Sequence, residues 1–278
     1  DKKTCSAGYS SGEIRIIDYH EKKVKATLRG HRTRVSVLTY GHNDGAILAS
    51  GSLDCDVIVW DVVASSALCR LRGHKGAITG IVFLSRSTQQ FVVTSSTDTL
   101  LKVWDLSTRH CVQTVVGHRA EIWSLALVPI GQVKPDSSSS GAEAESSYLL
   151  LLTGSADEFI RGYMLTHDSH VETPVSTEVL AAPLVADTGD VLRYIGSVQR
   201  DIPSGAASNN CTGFSSSKNC SILSAQTNGK IVEIYKLRSV EEGKKKMKRR
   251  LKRTREKETR RKAEEGTTEA SNTLSVWN

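Results

Sequence analysis

Three Gly-His dipeptides, Gly30-His31, Gly73-His74 and Gly117-His118, recur 43 and 44 residues apart, and each opens the same series of segments. A strand-like run follows ("VSVLTY", "ITGIVF", "IWSLAL"), then a second run ending in small hydroxyl residues ("ILASGS", "FVVTSS", "LLLTGS"). An Asp comes next (Asp54, Asp98, Asp157), and a third run closes on Trp60-Asp61, Trp104-Asp105 or Tyr163-Met164. A fixed period constrains a chain more tightly than any composition does. Each unit is one supersecondary element that buries its apolar face only by stacking on the next copy. The third copy carries 59 residues, not 44, between Trp104 and Tyr163; the polar stretch "GQVKPDSSSSGAEAESS" accounts for the excess and predicts a loop insertion over about 130–147.

A period of about 40–45 residues with these signatures is that of the four-stranded WD40 blade. The expected fold class is therefore all-β. It is a partial WD40 β-propeller with about four to five blades visible, followed by a basic segment that is helical or disordered. In WD40 blades the histidine, a strand hydroxyl, the turn Asp and the strand-end Trp lock one another, because buried polar groups must find partners. By spacing these clasps are His31, Ser50, Asp54 and Trp60; His74, Thr94, Asp98 and Trp104; His118, Thr153, Asp157 and Tyr163. Two weaker units flank them. In the first, Ile17-Asp18 stands at the Trp-Asp position and Ser11 at the turn Asp. In the last, "SILSAQTNGKIVEIYKLRS" offers Ser224, Asn228 and Ile234, after a second expected insertion at about 203–219. The organisation expected is blades over 1–237 and a basic tail over 238–278. The chain opens in mid-repeat without Met, which suggests a fragment of a longer polypeptide.

The formal charge of +7 belongs to one segment. Residues 244–262 carry thirteen Lys/Arg against two Glu, so the remainder sums to −4. Within it, Lys244, Lys245, Lys246, Lys248, Arg249, Arg250, Lys252 and Arg253 are candidates for nuclear targeting or RNA-phosphate contact. No aromatic interleaves with them, which argues against base stacking. Six scattered cysteines form no CxxC pair and point to a reducing compartment, and no apolar run spans a bilayer. The set His, Ser and Asp imitates a hydrolase triad, but a catalytic set occurs once and this one occurs three times. With no phosphate loop and no metal-ligand spacing, the expectation is a non-enzyme without cofactor or metal. WD40 contacts often fall three and five residues after the Gly-His histidine. These positions hold Arg34 and Ser36, Ala77 and Thr79, Glu121 and Trp123, of which Arg34, Thr79, Glu121 and Trp123 are the candidate partner-binding residues.

The stretches "DCDVIVWDVV … LRGHKGAIT" and "KVWDLSTRHCVQTVVGHRAEIW" go beyond a generic blade, and residues 8–128 resemble the WD repeat-containing protein three family. Its members are tandem-propeller UTP-B subunits of the small-subunit processome. The resemblance implies a nucleolar scaffold in ribosome biogenesis. Its partners would be other WD40 and helical subunits and precursor ribosomal RNA or small nucleolar RNA, with no membrane and no small-molecule substrate. The alternative is a generic nuclear WD40 adaptor in a ubiquitin-ligase, chromatin or splicing complex. Tyr163-Met164 in place of Trp-Asp departs from the pattern.

Overall fold

The computed structural model describes residues 4–41, 45–86, 89–130, 148–157, 159–165, 191–200, 211–216, 222–227, 232–236, 248–249 and 252–253. Two compact units divide the chain: Asp1–Glu172 with Thr177–Lys236, and Thr173–Ser176 with Leu237–Asn278.

The first unit is a series of antiparallel sheets, each a run of sequence-adjacent strands joined by short turns. Its first sheet has three strands, β1 (Thr4–Gly8), β2 (Ile14–Asp18) and β3 (Lys23–Leu28). Three four-stranded sheets follow. They are β4 (Val35–Tyr40) to β7 (Ser66–Leu71) through β5 (Ile47–Ser52) and β6 (Val57–Asp61); β8 (Ile78–Arg86) to β11 (Cys111–Val116) through β9 (Gln89–Ser96) and β10 (Leu100–Asp105); and β12 (Ile122–Ile130) to β15 (Leu192–Gln199) through β13 (Tyr148–Ser155) and β14 (Phe159–Leu165). The last sheet comprises β16 (Cys211–Ser216), β17 (Ile222–Thr227) and β18 (Val232–Lys236). The fold is the blade series of a partial WD40 β-propeller. The inner strands β4, β8, β12 and β16 pack side by side.

Burial follows position within the blade. The second strand β5 is buried on both faces, whereas the outer strands β3, β7 and β11 are largely exposed. Apolar clusters lie between sheets: Ile14, Ile16 and Leu28 of the first meet Val35, Leu48, Ile58 and Trp60 of the second. Val57 and Val59 of the second sheet likewise meet Ile78, Ile81, Phe83 and Val92 of the third.

Two turns per blade are set by carboxylates. The Asp of each Trp-Asp pair accepts the backbone N–H groups of the turn that follows: Asp18 from His20 and Glu21, Asp61 from Val63 and Ala64, and Asp105 from Ser107. Four residues after each Asp the chain crosses into left-handed backbone, at Lys22, Ser65 and Arg109. Met164 stands at the register of this carboxylate in the fourth sheet, and residues 166–190, between β14 and β15, lie outside the described residues.

The last sheet corrects two expectations. Cys211–Ser216, assigned to the loop insertion over 203–219, is the strand β16; its Gly and Ser content hid the alternation. The register of the last unit is also displaced by one residue. Cys211 pairs with Thr227 as Val35 pairs with Ser52, and Ala225 pairs with Glu233 as Ser50 pairs with Ile58. Ala225 and Tyr235, not Ser224 and Ile234, therefore occupy the hydroxyl and Trp positions, and Asn228 lies outside the described residues. A one-residue slip exchanges the two faces of a strand, so Ile234 falls at the register of Ile16 and Val59, whose side chains are covered by the following sheet.

Two predictions follow from this register. Thr99 follows the turn Asp98 at φ 72°, where a β-branched residue is strained; Gly12 takes φ 84° at the equivalent place in the first sheet. Thr99→Gly should raise stability by roughly 1 kcal/mol, read as a higher denaturant midpoint at unchanged m-value. Ile16 is 3% exposed and Ile234 is 72% exposed. Ile16→Ala should cost about 2–5 kcal/mol and Ile234→Ala less than about 0.5 kcal/mol in the same measurement.

Candidate functional site

The three clasps close by the same geometry. His31 Nε2 lies 2.7 Å from Ser50 Oγ, Trp60 Nε1 donates to the same Oγ at 2.8 Å, and His31 Nδ1 lies 3.1 Å from Asp54. In the next blade His74 Nε2 is 2.7 Å from Thr94 Oγ1, Trp104 Nε1 donates to it at 2.9 Å, and His74 Nδ1 is 2.8 Å from Asp98. His118 meets Thr153 at 2.7 Å and Asp157 at 3.2 Å, with Tyr163 at the register of the indoles.

Donor counting fixes the direction of the bonds in the first two clasps; in the third, the donor-only Nη1 of Arg161 also lies against His118 Nδ1. The indole N–H can only donate, so the hydroxyl oxygen accepts it and gives its single proton to Nε2. The histidine is then the neutral Nδ1–H tautomer, donating to a carboxylate. Burial agrees, since it pushes all three histidines below their ordinary pKa and overrides the raising effect of the neighbouring Asp. The carboxylates stay ionised, with pKa lowered against the opposing effect of burial. Asp54 accepts the backbone N–H of Arg32 and Asp56, Asp98 those of Lys75 and Leu100, and Asp157 that of Phe159. Against the raising effect of burial, Asp157 is held down at about 2 by its bonds to His118 and to Arg161 Nη1, the latter at 2.6 Å. Burial raises Tyr163 to about 12, so it remains a phenol.

Two of the three glycines before the histidines have a steric cause. A Cβ on Gly30 would lie 2.9 Å from Trp60 Cη2, and one on Gly117 would lie 3.1 Å from the Tyr163 hydroxyl. At the register of these glycines the fourth sheet carries Arg200, whose side chain is fully buried and grips Glu233 through Nε at 3.0 Å and Nη2 at 3.1 Å. Tyr235, at the Trp register, donates to the same carboxylate at 2.6 Å. The last blade thus replaces the neutral relay with an Arg-Glu-Tyr triad, which the sequence reading missed. The signal was the arginine two residues past the end of an outer-strand pattern, where the other blades have Gly. A second missed element is the hydroxyl two residues after each clasp hydroxyl. Ser52 donates to the Arg34 carbonyl at 2.8 Å and Ser155 to that of Glu121 at 2.8 Å, and Ser52, Ser96 and Ser155 each accept the N–H of the turn Asp.

In its bonds the clasp is indistinguishable from a Ser-His-Asp triad, and burial separates the two. Ser50, Thr94 and Thr153 are fully inaccessible. In the first two clasps the indole N–H also takes one of the two lone pairs of the hydroxyl oxygen. An oxygen so enclosed has no access to a substrate.

The other sequence candidates separate. Thr79 is spent within the fold: its hydroxyl donates at 2.6 Å to the carbonyl of Ile122 on the next inner strand, as that of Ser36 does to Ile78. That bond commits the hydroxyl proton of the half-buried Thr79 to the fold. Trp123 takes the same register, and its buried indole N–H has no partner among the described residues. Arg34 and Glu121 are exposed. Lys248, Arg249, Lys252 and Arg253 are helical and exposed, while Lys244, Lys245, Lys246 and Arg250 lie outside the described residues. Cys5, Cys55, Cys69, Cys111 and Cys211 are free thiols, and no metal-competent cluster of side chains occurs among the described residues.

Residues 22–61 and 65–105 match the family model for the WD domain, G-beta repeat. The chain is 34% identical over 114 residues to the nuclear distribution protein nudF of Aspergillus niger, covering 40% of this chain and 26% of that protein. It is 28% identical over 100 residues to coatomer subunit beta'-2 of Arabidopsis thaliana, covering 36% of this chain and 11% of the relative. It is 28% identical over 138 residues to the U3 small nucleolar RNA-associated protein 12 of Saccharomyces cerevisiae, covering 36% and 15%. The aligned stretch thus spans about a quarter or less of these relatives.

Acidification tests the clasp. A buried histidine with lowered pKa binds its proton in the unfolded chain first, so stability falls as pH drops below about 6.5, by up to about 1.4 kcal/mol per unit for each histidine. The lowered Asp groups act in the same direction below about 3.8, where the unfolded carboxylates protonate. His74→Ala should lower the melting temperature at pH 7 and flatten the slope of stability between pH 6.5 and 5.

Proposed function

We propose that this WD40-repeat chain is a non-catalytic scaffold in ribosome biogenesis, organising processome proteins and precursor ribosomal RNA during small-subunit maturation. The observation that carries the non-catalytic part is the burial of the clasp hydroxyls: the residues most like a catalytic set are consumed in holding the blades. The ribosomal assignment is supported by the family-specific blade stretches, the similarity to a U3 small nucleolar RNA-associated protein, and the density of Lys and Arg over 244–262. A nucleolar location belongs to the same reading. On it, the exposed helical Lys248, Arg249, Lys252 and Arg253 meet RNA phosphates non-specifically and salt-sensitively. The similarities to nudF and coatomer subunit beta' support a second reading, a protein-interaction adaptor in an unrelated assembly.

The test is ultraviolet crosslinking of the tagged chain in cells with sequencing of bound RNA, beside a copy lacking residues 240–278 that is directed to the nucleolus by an independent signal. The expected outcome is enrichment of the 5′ region of precursor ribosomal RNA, falling at least fivefold in the shortened copy. Absence of precursor ribosomal RNA from both copies would overturn the reading in favour of the adaptor.

A further inference from the structure

The loop edge that carries the clasps also carries a set of cations fixed by the clasps. The residue after each clasp histidine is Arg32, Lys75 or Arg119, exposed in all three blades. The amides of Arg32 and Lys75 are held at 2.9 Å by Asp54 and Asp98, so the backbone beneath these cations is immobilised by the same carboxylates that anchor the histidines. Two residues further on, the carbonyls of Arg34, Ala77 and Glu121 accept the amides of Leu53, Thr97 and Ala156. The side chains at these two registers thus stand on rigid backbone, blade after blade.

Their charges are unspent. Arg15 and Arg29 are paired with Glu13, Lys25 with Asp18, Arg70 and Arg72 with Asp56, and Arg161 with Asp157. Arg32, Arg34, Lys75 and Arg119 make no ion pair among the described residues. They form a graded strip: two cations on the blade of His31, one on that of His74, and one offset by Glu121 on that of His118.

Two neighbours of the strip are not electrostatic. Leu53 is 49% exposed and tied to Arg34 through its own amide, which places an apolar side chain beside the most cationic end. At the other end Trp123 follows Glu121 by two residues, with its buried indole N–H unpartnered among the described residues. That N–H stands where Ser36 and Thr79 stitch inner strands together, and it is covered by the fold.

We infer that this strip binds an acidic peptide segment with an apolar side chain among its carboxylates. Arg32, Arg34, Lys75 and Arg119 receive the carboxylates, and Leu53 receives the apolar side chain. A protein ligand is favoured over RNA because the strip offers an exposed leucine, while the exposed aromatic ring nearest Arg34, Tyr9, already carries the Arg15 guanidinium over its face at 4.8 Å. The inference deepens the scaffold reading, since it assigns a ligand chemistry to the folded blades rather than to the basic tail.

The probe is a fluorescein-labelled peptide of four Asp-Asp-Leu repeats, titrated by anisotropy into the full chain, with a single-stranded oligouridylate of equal charge in parallel. Arg32→Glu/Arg34→Glu should weaken peptide binding at least tenfold and Leu53→Ser about threefold, with melting temperatures unchanged because these side chains are exposed. Replacing Lys248, Arg249, Lys252 and Arg253 together by Ala should change peptide binding less than twofold. Peptide binding that survives the double reversal, or falls mainly with the tail substitutions, would overturn the inference. Oligouridylate binding that falls tenfold with the double reversal while the peptide does not would overturn it in favour of RNA. None of these outcomes bears on recovery of precursor ribosomal RNA in cells, so the two readings fail separately.

Discussion

The fold depends on a hydrogen-bond chain that runs one way. In the first two clasps an indole that can only donate starts it, a hydroxyl and a neutral imidazole each accept once and donate once, and a carboxylate that can only accept ends it. No member can be reversed, and none can be removed without stranding a buried polar atom at a cost of about 1–3 kcal/mol. The Asp then collects the backbone amides of the turn and, in the first two clasps, of the following loop, so one carboxylate fixes strand, turn and loop together.

The three clasps are equal in pattern and unequal in strength. Tyr163 replaces the indole, while Arg161 takes over as the nearer partner of Asp157 and His118 is held at 3.2 Å. In the last blade the histidine relay gives way to Arg200, Glu233 and Tyr235. A neutral donor chain has become a buried ion pair with a phenol on its flank, which solves the same packing problem at the register vacated by glycine.

The clasps were legible in the sequence because each residue type in them does one job at one spacing, and the period repeats that spacing three times. The last blade was harder to read. Ser224 and Ile234 satisfied the spacing by residue type, and only the pairing of Ala225 with Glu233 places the register one residue along. Thr79 looked like a surface contact because nothing local announces that its hydroxyl reaches the carbonyl of Ile122, 43 residues away. The acid-sensitive relay expected from His74→Ala belongs to what the sequence disclosed; the Arg200 triad, made by residues 33 apart, belongs to what only the assembled sheets disclose.

The last sheet presents Val232 and Ile234 at the register that every preceding sheet keeps covered. In a stack where each unit is stabilised chiefly by its neighbours, a unit with one covered face opens before a unit with two. The first and last described sheets each pack on one neighbour, so amide exchange there reads a low free energy of opening, whereas the relay at His74, enclosed by sheets on both sides, reports the collapse of the whole series.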